Sequence, residues 1–272
     1  MSEAILRRAQ PWLGTLVTIQ TEAAAGDEVT ARRAIDAAFA RVARVHALMS
    51  AHSADSDLAR LARAAAGVPL ALDPDTVAVL RIAQHWRAAS RGAFDPEMAA
   101  RRLAGRRPGI AAAQHGMGRL ARLHILDERT VVSEDGPLPL DLGGIAKGYA
   151  VDRAVEVLQA AGLRSGLVNA GGDLRAFGPR TWSIEVQHAA VTARTRKLLR
   201  LHEGAVATST GAAHNADFVA TRRRAPAWQR GTVLAPDCAT ADALTKWVLQ
   251  EREPSLRLRA ALRSAGARLW RD

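Results

Sequence analysis

The chain has 272 residues, of which 48% are hydrophobic and 24% charged, so it can bury a substantial core and is neither disordered nor fibrous. Its 38 basic residues outnumber 27 acidic ones, for a net charge of +11, and only Lys147, Lys197 and Lys246 are lysines. This excess permits binding of nucleic acid, anionic lipid or a phosphorylated small molecule, or it reflects a background preference for arginine. The single cysteine, Cys238, excludes a disulfide framework and a multi-cysteine zinc site.

The sequence shows no segment that would place the chain in or across a membrane. No stretch approaches the roughly 18 apolar residues of a membrane span, and the first residues have no signal-peptide pattern. We therefore expect a cytoplasmic protein, or a periplasmic one only if the start is misassigned.

The first third of the chain predicts one strand and one long helix. Residues 13–20 are rich in β-branched side chains and follow a Pro and a Gly, which predicts a strand. Residues 27–49 carry apolar side chains at helical spacing, which predicts an amphipathic helix. A polar loop follows at 50–57, where Asp55 or Ser56 is expected to cap a short helix.

The next segments predict a helix, an irregular connection and a strand. A helix is expected at 74–90, followed by the tight sequence GAFDP at 92–96. Residues 101–118 are rich in Gly, Arg, Ala and Pro and predict a mobile or irregular connection. Residues 121–127 alternate in polarity as a strand does, and a turn is expected at 134–137.

The most informative segment is 139–178, which contains two Gly-rich turns. It predicts the end of a strand, a Gly-rich turn, a helix from near Ala146 that stops at Gly162, a strand at 166–169 and a second Gly-rich turn. Further strands are predicted at 182–187, 197–202 and 231–235, and helices at 240–250 and 255–264.

The first Gly-rich turn has the composition of an anion site. Gly143 and Gly144 allow close backbone approach to a ligand, and the following helix offers its amide groups to an anion. Lys147 opposes the helix dipole there, which favours a bound phosphate or diphosphate. Asp141 could accept from a ribose or ring nitrogen, or bind a metal; the alternative is a turn with a buried cap. The spacing is that of neither a P-loop nor a dinucleotide fingerprint.

Two smaller groups of residues each allow two interpretations. Asn169 and Asp173 flank the second Gly pair, where they either contact a ligand or stabilise the turn. Asp242 is expected at a helix amino terminus, as a cap or a cation ligand, with Thr245 and Lys246 on its face of the helix.

His214 and Asp217 form an H-x-x-D pair in a polar stretch. A histidine within reach of a carboxylate can act as a general base, and the alternative is a solvated loop.

Together these segments resemble the FAD:protein FMN transferase family, the ApbE-type proteins. The similar segments are PWLGTLVTIQ (11–20), MSAHSADSDLARL (49–61), GAFDP (92–96), LDLGGIAKGYAVD (140–152), LVNAGGDLRAFG (167–178), ATST (207–210) and ADALTK (241–246). The block from 140 to 178 is the most specific, and the order of the others adds to it.

The resemblance implies one α+β domain over residues 1–272, with a mixed or antiparallel sheet packed against helices and a C-terminal helical extension at 252–272. It implies transfer of the FMN half of FAD to a Thr or Ser hydroxyl of an acceptor flavoprotein, with AMP as leaving group and Mg²⁺ at the diphosphate. The alternative is an FAD-binding relative of weakened chemistry that acts as a flavin carrier or scaffold. A nucleic-acid partner is disfavoured because aromatic residues are few and the arginines form no continuous reader motif.

The resemblance also assigns residues to roles. It places Leu13, His52, Ala93, Phe94, Asp95, Asp141, Lys147, Asn169 and Asp173 around the flavin nucleotide, Gly144, Asp242 and Thr245 at the magnesium ion, and His214, Asp217 and Lys147 in catalysis. The family commonly has Thr where this chain has Lys246, which predicts a metal site that is shifted, weakened or partly replaced by the charge of the lysine. His52 stands in place of the usual aromatic residue, Leu13 in place of Met, and Phe218 in place of Pro.

Overall fold

The computed structural model describes residues 4–23, 26–106, 118–187, 196–210 and 230–271. Its helices are α1 (Glu28–Met49), α2 (Asp57–Leu61), α3 (Pro74–Ala89), α4 (Pro96–Arg106), α5 (Ala146–Ala160), α6 (Cys238–Val248) and α7 (Leu256–Ser264), with a 3-10 turn at Arg119–Arg122. Its strands are β1 (Ala4–Trp12), β2 (Thr15–Ala23), β3 (Pro69–Ala71), β4 (Leu123–Ile125), β5 (Thr130–Ser133), β6 (Gly166–Ala170), β7 (Asp173–Phe177), β8 (Trp182–Gln187), β9 (Arg196–Leu201), β10 (Gly204–Thr210), β11 (Arg230–Ala235) and β12 (Arg268–Arg271).

The main sheet has seven antiparallel strands in the order β1-β2-β6-β7-β10-β11-β12. Strands β3, β5 and β4 form a small antiparallel sheet, and β8 and β9 form a two-stranded ribbon. Helices and antiparallel sheets occur together, so the predicted α+β class is confirmed. Among the described helices, none is both long and apolar enough to cross a lipid bilayer.

Each face of the main sheet packs against a different layer. On one face, alternate residues of β2 such as Val17 and Ile19 are fully buried with Ile35 and Val42 of α1, and α5 and α6 belong to the same apolar cluster. On the other face, a smaller cluster joins β6, β7 and β10 to the β8–β9 ribbon and includes Trp182. The period of two along a strand thus directs neighbouring residues to different environments. The larger cluster extends from β2 to α7.

Several predicted elements are confirmed because local signals determine them. Helix α1 matches the amphipathic pattern, and Ser56 caps α2 by accepting a hydrogen bond from the amide of Ala59 (3.1 Å). Helix α3 starts at a Pro next to its cap, Asp73. After α5, Gly162 has φ = +81°, a conformation that ends a helix and favours glycine.

The amino-terminal strand prediction is only partly correct. Leu13 and Gly14, at φ values of 55° and 72°, form the turn between β1 and β2, so the predicted strand begins two residues late at Thr15. Strand β1 was not predicted from the sequence. It lies at the edge of the sheet, where alternating exposed residues such as Arg7 and Ala9 are tolerated and no apolar pattern is needed.

Three further predictions are corrected. Residues 101–106 continue helix α4, so the irregular connection cannot begin at 101; positions 107–117 lie outside the described residues. Residues 137–142 form no strand before the Gly-rich turn. The segment 252–272 is not only helical, because after α7 the chain forms β12 and pairs with β11 as the last strand of the main sheet.

Candidate active site

Helices α5 and α6 start side by side, and each is capped by a carboxylate from the other. Asp152 of α5 accepts hydrogen bonds from the amides of Cys238 and Ala239 at the start of α6, both at 2.9 Å. Asp242 of α6 accepts one from the amide of Gly148 in the first turn of α5, at 3.2 Å. These bonds satisfy donors that helix starts leave without partners.

This arrangement corrects the expected position of Asp242. Helix α6 begins at Cys238 and is capped by Asp237, whose side chain accepts from the amide of Thr240 at 2.8 Å. Asp242 therefore lies one turn inside α6, with no exposed surface, and its carboxylate caps the neighbouring helix.

Three amides at the start of α5 donate to protein groups. The Ile145 and Ala146 amides donate to the Leu142 carbonyl at 2.9 and 2.8 Å, and the Gly148 amide donates to Asp242. These contacts do not support the expectation that the amides bind an anion.

Lys246 places a positive charge beside Asp242. Its Nζ lies 2.6 Å from Asp242 Oδ1, and both residues are buried, with 3% and 0% of their surface exposed. The same Nζ donates to the hydroxyl of Ser209 at 2.7 Å and lies 3.2 Å from the hydroxyl of Thr245. Burial raises the pKa of the Asp242 carboxyl, but the ammonium groups of Lys246 and Lys147 outweigh burial and hold that pKa below its ordinary value.

The residues assigned to magnesium do not fit a divalent ion in this arrangement. Carboxylate and hydroxyl oxygens of Asp242 and Thr245 already face the Lys246 ammonium. A Mg²⁺ ion about 4 Å from an ammonium would be repelled by about 8 kcal/mol at an effective dielectric constant of about 20. In addition, the described residues contain no group of three or more His, Cys, Asp or Glu side chains that could hold a metal.

Lys147 lies at the wall of a small polar cavity. Its Nζ donates to the carbonyl of Gly143 at 3.1 Å and lies 3.5 Å from Asp173 Oδ2. The cavity has a volume of about 240 Å³ and is lined by Leu13, Gly14, Thr15, Lys147, Gly171, Asp173, Thr208, Ser209 and Thr210. The structure thus brings together three residues that the resemblance assigns to the flavin nucleotide, namely Leu13, Lys147 and Asp173.

A larger cleft of about 710 Å³ adjoins the small cavity. It shares Gly171, Thr208 and Thr210 with the small cavity and adds polar groups such as Asn169 and Arg7. Its volume is in the range typical of small-molecule sites. The two spaces therefore adjoin at these three shared residues.

Asp141 and Asn169 each stabilise a turn. Asp141 accepts a hydrogen bond from the Gly143 amide at 2.8 Å, and Asn169 accepts one from the Gly172 amide at 2.9 Å. Each residue therefore has the turn-stabilising role that the sequence left open as an alternative to ligand binding. Asn169 also lines the larger cleft.

The GAFDP segment makes structural contacts with the start of α4 and with the chain just after α6. Asp95 is buried and caps α4 by accepting from the amides of Glu97 (3.0 Å) and Met98 (3.3 Å), and burial raises the pKa of its carboxyl. The carbonyl of Ala93 accepts from the side chain of Gln250. These residues line neither of the two spaces described above.

Phe94 is also buried, and its ring lies 3.4 Å from the position that a Cβ on Gly144 would take. His52 is exposed in the loop after α1 and lines neither space. His214 and Asp217 lie outside the described residues.

Sequence reasoning missed two residues that organise the site. Ser209, the middle hydroxyl of the ATST segment, joins Lys246 and Thr245 to the small cavity. Asp152 ends the LDLGGIAKGYAVD block and caps α6. The membership of both in segments quoted for the resemblance was the only available signal, because their partners are distant in sequence.

The ApbE family model matches residues 13–263 of the chain. The chain belongs to the ApbE family. One similar protein is the FAD:protein FMN transferase of Treponema pallidum (strain Nichols), 30% identical over 189 residues that cover 63% of this chain and 51% of that protein. The FAD:protein FMN transferase of Vibrio cholerae (O395) is 26% identical over 184 residues, covering 59% of this chain and 53% of that protein. The aligned part of the chain thus spans about half the length of these ApbE relatives.

Solved structures of the ApbE family share the fold. The flavin transferase ApbE from Vibrio cholerae superposes with a TM-score of 0.80 at 24% identity, covering 98% of this chain and 93% of that one. The apo flavinyl transferase ApbE of Pseudomonas stutzeri gives a TM-score of 0.79 at 21% identity, covering 100% and 92%. The resemblance seen in the sequence motifs is confirmed, and the fold is that of the ApbE structures.

Proposed function

We propose that this ApbE-family chain is an FAD:protein FMN transferase. It takes FAD as substrate, attaches the FMN half to a Thr or Ser hydroxyl of an acceptor flavoprotein, and releases AMP. The observation that carries the proposal is the position of Lys147 at the wall of a polar cavity that adjoins a larger cleft. The names of the curated relatives supply the reaction class.

An FAD molecule is elongated, with its two phosphates near the middle. The small cavity offers the Lys147 ammonium and the hydroxyl of Thr208, which suit a diphosphate, and the adjoining cleft has space for an aromatic half of the substrate. Thr208 and Thr210 line both spaces, so one ligand could extend from one into the other.

The reaction that these residues would support is a phosphoryl-type transfer. The acceptor hydroxyl oxygen bonds to the phosphorus of the FMN half, the bond from that phosphorus to the bridging oxygen breaks, and AMP leaves with that oxygen. The hydroxyl proton passes to a base, for which the sequence offers His214 with Asp217. Lys147 offsets the negative charge of the diphosphate during the transfer.

The magnesium ion implied by the resemblance is not assigned to Gly144, Asp242 and Thr245 in this proposal. Lys246 already provides the positive charge next to two of these residues. FAD is therefore the ligand on which the proposal depends.

A direct assay tests the proposal. The purified chain is incubated with FAD and an acceptor domain from a flavoprotein that carries threonine-linked FMN. We expect AMP by chromatography and an equal amount of covalent flavin on the acceptor by mass spectrometry. An acceptor with its target Thr→Val and a reaction with FMN in place of FAD are the controls, and neither should react. Tight FAD binding without transfer across several acceptors would instead support the flavin carrier.

A further inference from the structure

The ammonium of Lys246 is surrounded by oxygen atoms as a bound cation would be. Its nearest oxygens are Asp242 Oδ1 at 2.6 Å, Ser209 Oγ at 2.7 Å and Thr245 Oγ1 at 3.2 Å, with the Asp242 carbonyl at 3.4 Å. An ammonium has three N–H donors, so the three nearest oxygens satisfy all of them. The group is 3% exposed and has exchanged its water shell for protein oxygens.

We propose that Lys246 is a built-in cation that fills the site between Asp242, Ser209 and Thr245, so that this chain binds no divalent metal there. The inference concerns what occupies the site and does not depend on the transfer reaction proposed above. It separates this chain from the metal-binding arrangement that its motifs imply.

The stem of Lys246 occupies the space that a metal would need. A Cβ added to Gly144 would lie 3.3 Å from Lys246 Cε and 3.5 Å from Lys246 Cγ, so the lysine stem packs against the Gly144 backbone. Phe94 closes the same space at 3.4 Å. An ion bound by both Gly144 and Asp242 would have to displace this stem.

The hydroxyl groups of Thr245 and Ser209 give a second reason against a divalent ion at this site. Thr245 donates to the Asp242 carbonyl at 2.6 Å, and its hydroxyl oxygen lies 2.8 Å from that of Ser209. Because the ammonium only donates, Ser209 accepts from Lys246, and its own proton is directed to Thr245. These linked hydrogen bonds hold the oxygens around a monovalent charge, and through Ser209 they connect that charge to the wall of the small cavity.

Leaving the site would be costly for the lysine. Asp242 has no exposed surface, so withdrawal of the ammonium would remove the positive charge that lies 2.6 Å from a fully buried carboxylate. A divalent ion could compete only by repaying that loss and by displacing a packed side chain.

Manganese binding, measured by electron paramagnetic resonance on the full chain without FAD, tests the inference. We expect Asp242→Asn and Thr245→Val to leave the Mn²⁺ affinity of the protein unchanged. Lys246→Thr, which removes the ammonium and supplies a hydroxyl, should raise the affinity about tenfold or more, and adding Asp242→Asn to it should abolish the gain. Arg259→Thr removes one positive charge from an exposed position of α7 and is the matched control; it should bind Mn²⁺ as the parent does.

Thermal unfolding provides a second readout, and its EDTA arm uses the parent protein alone. EDTA should leave the Tm of the parent protein unchanged, and Mn²⁺ should raise the Tm of Lys246→Thr but not that of the parent. The inference is overturned if the parent binds Mn²⁺ in a way that both Asp242→Asn and Thr245→Val weaken, or if EDTA lowers its Tm. Because FAD is absent, failure of the transfer assay would not alter these results.

Discussion

A Cβ placed on Gly148 would lie 2.3 Å from the carbonyl oxygen of Cys238, so α5 and α6 meet at a distance that only glycine permits. The same Cβ would lie 2.8 Å from the amide nitrogen of Ala239. This close approach allows Asp152 and Asp242 to reach across and cap the two helices.

Gly148→Ala is therefore expected to destabilise the protein by about 3 kcal/mol, at the upper end of the usual cost of overpacking, because the atoms in conflict are backbone atoms that cannot rotate away. Urea unfolding measures the change. Ala160→Gly at the exposed end of α5 is the control for helix propensity and should cost about 1 kcal/mol or less. A gain of stability in Gly148→Ala, as at an ordinary helix position, would contradict the close approach.

Asp152→Ala should cost about 3 kcal/mol of unfolding free energy. The buried carboxylate accepts from two amides at the start of α6 and pairs with Arg175 at 2.9 Å, and its removal leaves all three without it. Asp237 also caps α6 but is less buried than Asp152, so Asp237→Ala is expected to lower the free energy of unfolding by only about 1 kcal/mol. Equal losses in the two variants would show that Asp152 acts only as an ordinary cap.

Asp242→Asn and Lys246→Met are expected to destabilise the protein by about 3 kcal/mol each, because each leaves the other charge buried without its partner. The double variant should recover at least about 2 kcal/mol of the summed loss, since no isolated charge remains. A double-mutant cycle by urea unfolding gives this coupling energy. Strict additivity would mean that the two charges do not stabilise each other.

The elements that were predicted correctly are those whose sequence signals lie within the element or directly beside it. Helix α1 has its apolar stripe, α3 its Pro start, and Gly162 the conformation that ends α5. The start of α6 was predicted two residues late, since the amides of Cys238 and Ala239 are capped by Asp152, 86 and 87 residues earlier in the chain. A window of sequence does not contain that contact.

The candidate site shows the same division. Sequence motifs pointed to Leu13, Lys147 and Asp173 as one group, and all three line the same cavity. They also pointed to the charge of Lys246 as a substitute for metal, but they could not show that Ser209, 37 residues away, completes its oxygen shell. Edge strands such as β1 and β12 escaped prediction because pairing with a neighbouring strand, rather than an apolar pattern, holds them.

Tyr149 should make the protein less stable at alkaline pH. Burial, and then the hydrogen bond to Asp75 at 2.8 Å and the charge of that carboxylate, raise the pKa of the phenol above its usual value of about 10. The folded chain therefore keeps a proton that the unfolded chain releases. The stability that the protonated Tyr149 contributes is present in full below pH about 10. Above that pH the free energy of unfolding falls by up to about 1.4 kcal/mol per pH unit.

Tyr149 is the only tyrosine of the chain, so its titration can be followed by near-ultraviolet absorbance without interference from other phenols. Tyr149→Phe should remove this part of the alkaline loss in urea unfolding measured as a function of pH. Ionisation of the phenol near pH 10 in the folded protein would refute the expectation.

Lys147→Met is expected to lower kcat/KM for FMN transfer from FAD by about a hundredfold, through loss of one fixed positive charge at the diphosphate. Lys147→Arg should retain more activity than Lys147→Met, because it keeps the charge. Arg153→Met, six residues further along α5 and paired with Glu156 rather than with the cavity, serves as the matched control and should transfer FMN as the parent does. FAD affinity by fluorescence quenching separates binding from chemistry. If Lys147→Met binds FAD and transfers FMN as the parent does, the diphosphate does not lie in the cavity beside Lys147 and Asp173.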